Sequence, residues 1–124
     1  MSVGQFRSPN LHYSGWLEKV KESSDLSILD PKDGKIFFTE LGASKKEISV
    51  SGFLNSKRSG KILVIVRTDR DYPQALGLAK KDGDWEFSGV TLGGVDHQIY
   101  AVLVGNQDKS IIRSKVVSVR LERT

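Results

Sequence analysis

The run Lys61–Arg67, K-I-L-V-I-V-R, sets the tightest limit on what this chain can fold into. It is an unbroken stretch of branched aliphatic residues with a charge at each end, and Thr68-Asp69-Arg70-Asp71-Tyr72-Pro73 follows at once. That pattern reads as a strand inside a sheet with both of its faces covered, followed by a proline-bearing turn. The chain around it must therefore supply more than one covering layer.

Taken in order, residues 1–25 read as an N-terminal extension. Phe6, Leu11 and Tyr13 are irregularly spaced, but Trp16, Leu17 and Val20 fall at helical intervals. Ser14 can cap a short helix over residues 15–22, with Glu18, Lys21 and Glu22 on its polar side. So short a helix holds only if its apolar side docks on something. From Asp25 the signals turn to strands: Leu26–Leu29, Ile36–Phe38, Glu47–Gly52, the central run, Gln74–Lys81, Asp84–Leu92, Gln98–Val104 and Lys115–Glu122. Turn residues separate them, with Asp30-Pro31-Lys32-Asp33-Gly34 and Asp82-Gly83 the clearest, the latter predicting a hairpin. Short strands at this spacing with no interior helix predict an all-β sandwich or small barrel over residues 26–124.

Several of these motifs, in this order, resemble bacterial immunoglobulin-like domains. They are the Pro31-x-Asp33-Gly34 frame, Ile48-Ser49-Val50-Ser51-Gly52, Asp82-Gly83-Asp84-Trp85-x-Phe87, and Tyr100-Ala101-Val102-x-Val104. The resemblance spans residues 26–122 and implies an immunoglobulin-like antiparallel β-sandwich of about seven to eight strands with an accessory, non-enzymatic role. The chain lacks the cysteine pair and third-strand tryptophan of antibody domains, so Trp85 is expected to fill that volume from another strand.

Composition narrows the chemistry. A chain of 124 residues, 38% hydrophobic and 27% charged, is long enough for one domain with its own core. Without cysteine there is no disulfide, thiolate metal site or cysteine nucleophile. The net charge is +4, but the basic residues are scattered, which fits a solvated surface better than a nucleic-acid footprint. No window is apolar enough to span a membrane, and none at the N-terminus forms a signal-peptide core, so no membrane insertion is expected. If the chain is complete, a cytoplasmic location follows. His12 and His97 lie far apart in sequence, and Asp96 beside His97 should point to the opposite strand face. With no nucleophile elbow either, no catalytic residue is assigned. The Asp69/Asp71 and Asp82/Asp84 pairs fall short of the six to eight oxygens that calcium takes, and basic neighbours oppose a cation. No metal or cofactor is expected.

The remaining anomaly is a face. In an immunoglobulin-like sandwich, strands 61–67, 98–104 and 115–122 are neighbours in one sheet. With Ile62, Val64, Val66, Tyr100, Val102, Val104, Val117, Val119 and Leu121 inside, the outer face holds Leu63, Ile65, Arg67, Ile99, Ala101, Leu103, Val116, Ser118 and Arg120. A face this aliphatic is rarely left bare. Either the extension folds back over it with Trp16, Leu17 and Val20, or it meets a partner protein, a neighbouring domain or a second copy. In the latter case Leu63, Ile65, Arg67, Ile99, Leu103 and Arg120 form the contact. A second reading assigns carbohydrate or polyanion binding to loops carrying Arg70, Tyr72, Lys80 and Lys81.

Overall fold

The computed structural model describes residues 16–104 and 111–124. A single helical turn, α1 (Trp16–Lys19), leads into ten strands. These are β1 (Lys21–Glu22), β2 (Leu26–Asp30), β3 (Ile36–Phe38), β4 (Lys46–Leu54), β5 (Lys61–Arg67), β6 (Asp71–Gly77), β7 (Asp84–Leu92), β8 (Asp96–Val104), β9 (Ile111–Arg113) and β10 (Val117–Glu122). They form two packed sheets, so the all-β sandwich expected from the turn spacing is what the chain adopts. The small sheet runs β2-β4-β7.

In the large sheet β8 is the hub. One edge pairs antiparallel with β5, which in turn pairs with β6. The other edge is shared, because β8 is nine residues long. Its first half pairs with β10 and its second half with β9. β3 then adds parallel to β10, and β1 parallel to β9. The chain passes from the small sheet to the large one between β2 and β3, where the Asp30–Pro31 peptide is cis.

Between the sheets lies the main core. The small sheet contributes Leu26, Ile48, Val50, Trp85, Val90 and Leu92, and the large sheet Ile62, Val64, Val66 and their neighbours. Trp85 does fill the central volume, 2% exposed, and lies across Gly52. A Cβ at Gly52 would run into both the Trp85 indole and the Ser27 carbonyl oxygen, so only glycine fits that strand position. Two irregularities keep the core filled. On β7, an extra residue near Gly89 (φ +75°) shifts the alternation, so that Val90 and Leu92 turn inward after Trp85 and Phe87. On β6, the register slips between Val64 and Ile65, and Gln74 is the added residue.

Three sequence expectations need correcting. Tyr72 and Pro73 are not in a turn but inside β6, where proline is tolerated because β6 is an edge strand. Asp82-Gly83 does form a turn, with Gly83 at φ +99°, but it carries the chain from the large sheet to the small one and closes no hairpin. The helix expected over residues 15–22 is reduced to α1, after which Lys21 and Glu22 join β9 as a strand. Ser14, with Phe6, Leu11, His12 and Tyr13, lies outside the described residues.

Candidate functional site

The outer face of the large sheet is apolar, as its sequence requires, and it is covered. Leu63, Ile65, Tyr100 and Val102 form a second cluster, with exposures of 0–3%, and Leu17, Val20, Val104 and Val116 pack against it. Two of the six contact residues read from sequence are misplaced. Ile99 and Leu103 sit in the main core between the sheets, and Tyr100 and Val102 take their places outside. The register fixes this: Ile65 is opposite Tyr100 and Leu63 opposite Val102, and directly opposed residues share a face. The β8 run is apolar on both faces, so its parity is not visible within the run itself. Asp96 and Gln98, polar and of the same parity as Tyr100, are the signal that identifies the outward side.

The N-terminal strap formed by α1 and β1 is fastened at both ends. The Arg113 guanidinium donates from Nε to the Leu17 carbonyl (3.1 Å) and lies 3.6 Å from Glu22. The Ser23 N–H donates to the Arg113 carbonyl (2.9 Å). At the other end Arg67 Nη1 donates to Glu18 Oε2 (3.1 Å). Beneath this contact lies a polar pair. The Asp71 carboxylate is almost wholly buried, 3.9 Å from Arg67 Nε, with the Tyr100 hydroxyl nearby. None of their oxygens completes a hydrogen bond among the described residues. Burial raises the Asp71 pKa, and the Tyr100 hydroxyl and Arg67 only partly oppose it. Burial likewise raises the Tyr100 hydroxyl, with the Asp71 charge adding to the effect.

Beside the strap, no described residue covers the outer face. Arg67, Gln98, Ser118 and Arg120 floor and flank a groove of about 620 Å³ that runs to Ile36 on β3. Ile36 is 46% exposed and Phe38, on the same face of β3, 57% exposed. The arginines of this groove are not free anion sites. Arg67 faces Glu18 and Asp71, while Arg120 donates to Glu122 (2.7 Å) and sits 3.7 Å from Asp96. The groove is therefore polar and close to charge-balanced, with an apolar rim along β3.

The proposed Arg70, Tyr72, Lys80 and Lys81 loop is not one site. Arg70 and Tyr72 lie at the start of β6 and the lysines beyond its end, about 20 Å away at ~3.3 Å per residue. Lys80 and Lys81 line a separate depression with Arg58. Tyr72 donates to Asp69 Oδ1 (3.0 Å), and Arg70 lies 5.9 Å from its ring centre. As expected from strand alternation, Asp96 and His97 face opposite ways. Asp96 faces Arg120, while His97 turns into the sandwich, 2% exposed, with Nε2 accepting from the Gly94 N–H (3.0 Å). Burial lowers its pKa. Among the described residues no three His, Asp or Glu side chains are grouped to hold a metal ion, and no helix is long and apolar enough to cross a membrane.

No family model, curated protein or solved structure matches this chain. The class that the described residues define is thus the architecture itself, a two-sheet all-β sandwich with a strapped outer face.

Proposed function

We propose that the chain is an immunoglobulin-like, non-catalytic interaction or accessory module, meeting a partner protein or neighbouring domain through the part of the outer face that the described strap residues do not cover. Strand order supports the classification. With β2, β4 and β7 as the A, B and E strands, the other sheet carries C, F and G as β5, β8 and β10, with β6 in the added C′ position.

The observation that carries the function is the groove beside Arg67, Gln98, Ser118 and Arg120 with its exposed Ile36–Phe38 rim. Its walls are paired strands, so it is held in shape without a ligand. Exposed Ile36 and Phe38 beside ion-paired polar groups offer apolar area that a partner protein can cover. Leu63 and Ile65 belong to the strap's own contact and are not part of this surface.

A photo-crosslinking residue at position 118, and separately at position 57 at the far end of the sandwich, tests the reading in the organism's own cells. A discrete adduct from position 118 that disappears on Ile36→Asp is expected, with none from position 57. Equal labelling from both positions, or an adduct indifferent to Ile36→Asp, overturns it. An adduct of twice the chain's mass would make the partner a second copy.

A further inference from the structure

At the end of the sandwich near Tyr72, on the inner side of the large sheet, lies a depression of about 310 Å³ that the groove reading does not use. We infer that it binds an acidic monosaccharide unit, with the sugar ring against Tyr72 and its carboxylate toward Lys45 and His97. Thr68 and His97 line both this depression and the groove, but its remaining residues are its own and its test is separate.

Its basis is the inventory of groups lining the depression. Thr68, Tyr72, Gln74, Thr91, His97 and Lys45 face it, and no carboxylate does. Gln74 Oε1 is taken by the Thr91 N–H (3.1 Å), which leaves the amide's two donors available. His97 Nε2 is occupied by the Gly94 N–H, so Nδ1 carries the ring proton; that buried donor lies beside the Val95 backbone without completing a hydrogen bond. With the Thr68 and Tyr72 hydroxyls donating to Asp69 at the rim, the Gln74 amide and the Lys45 ammonium are the donors that a ligand meets, and they suit acceptor oxygens with a negative group.

The wall is also fixed in advance. Arg123 donates to the Ser44 and Gly93 carbonyls (both 2.8 Å) and more weakly to that of Gly94 (3.5 Å), which holds the glycine loop and adds a second cation behind it. Of the nearby acids, Asp69 is 3.9 Å from Arg70, which offsets its charge. Asp96 is on the other face with Arg120, and Asp69 is held at the rim by Thr68 and Tyr72. Tyr72, 39% exposed, presents a ring on which the apolar face of a pyranose can lie.

The test uses the full chain and three probes: glucuronate, glucose and acetate at matched ionic strength. Amide shifts of Thr91, Gly93 and Gly94 report binding, and the His97 ring reports the carboxylate. Glucuronate should bind about tenfold more tightly than glucose or acetate, one charge-assisted contact being worth about that factor. It should also raise the His97 pKa, as a nearby anion must. Lys45→Ala should reduce glucuronate to the level of glucose, and Tyr72→Ala to that of acetate. Shifts no larger for glucuronate than for acetate would remove the sugar from the proposal. Absent shifts, or a His97 pKa unmoved at saturation, would remove the site.

Discussion

Ile65→Ala is the sharpest probe of the covered outer face. Ile65 is 0% exposed on the side of the large sheet that points away from the sandwich interior, in a cluster completed by Leu17 and Val20. Under a bare face, shortening it would cost no more than about 1 kcal/mol, the span of strand propensities. Under the strap it creates a cavity, for which Ile→Ala costs about 2–5 kcal/mol. A slope of roughly 2 kcal/mol per molar urea turns that into a midpoint shift of about 1–2.5 M, readable from the fluorescence of buried Trp85. The same substitution in a chain lacking residues 1–23 should cost under about 1 kcal/mol, because the cover is already gone, and the difference is the coupling between strap and sheet. An Ile65→Ala penalty below about 1 kcal/mol in the intact chain would refute the reasoning. So would an equal penalty in both backgrounds.

Two pH-dependent predictions follow from buried groups. The folded pKa of His97 lies below the ordinary value near 6.5, so its contribution is complete above about pH 6.5 and is lost as pH falls through the lower folded value. The stability difference between the natural chain and His97→Gln, from urea melts between about pH 8 and 5, should shrink on acidification; a constant difference would contradict it. Asp71 has the opposite sign, since its folded pKa is raised. The stability of its neutral form is complete below about pH 4 and is lost as pH rises through the folded value. Asp71→Asn should therefore be more stable than the natural chain at pH 7 and indistinguishable from it near pH 3.5. A less stable variant at pH 7 would mean that attraction to Arg67 outweighs burial.

The strands were legible wherever one face is polar. β10 alternates Val117-Ser118-Val119-Arg120-Leu121-Glu122, and its buried side is where that alternation puts it. The central run was also legible as a doubly covered strand, since nothing in Ile62–Val66 can face water. What failed was parity in β8, because Ile99–Val104 is apolar throughout and a one-residue slip leaves the pattern unchanged. Asp71 was hidden for another reason. Flanked by Asp69, Arg70 and Pro73 it has the composition of a turn, yet the turn closes at Thr68–Arg70 and Asp71 already opens β6. Of the candidate site, Leu63, Ile65, Arg67 and Arg120 were placed on the correct face by alternation. The groove itself was invisible, since it depends on where β3 joins β10 in parallel.

These placements explain how one sheet face comes to be divided. Apolar residues on β5 and β8 need a cover, and among the described residues Leu17 and Val20 of the strap supply it over Leu63, Ile65, Tyr100 and Val102. Farther along the strands the outward residues change from aliphatic to Arg67, Gln98, Ser118 and Arg120, with Gln98 opposite both Arg67 and Ser118 and Arg120 opposite Asp96. The composition of the face thus changes along the strands: aliphatic beneath Leu17 and Val20, hydrogen-bonding and ion-paired around the groove. A partner arriving at the groove meets side chains whose positions are set by ladder register and by pairs such as Arg120–Glu122. Arg67, held by Glu18 on one side and Asp71 on the other, is the one residue shared by strap and groove. Loosening the strap would therefore alter the groove through that guanidinium, whereas substitutions on β3 would leave the strap in place.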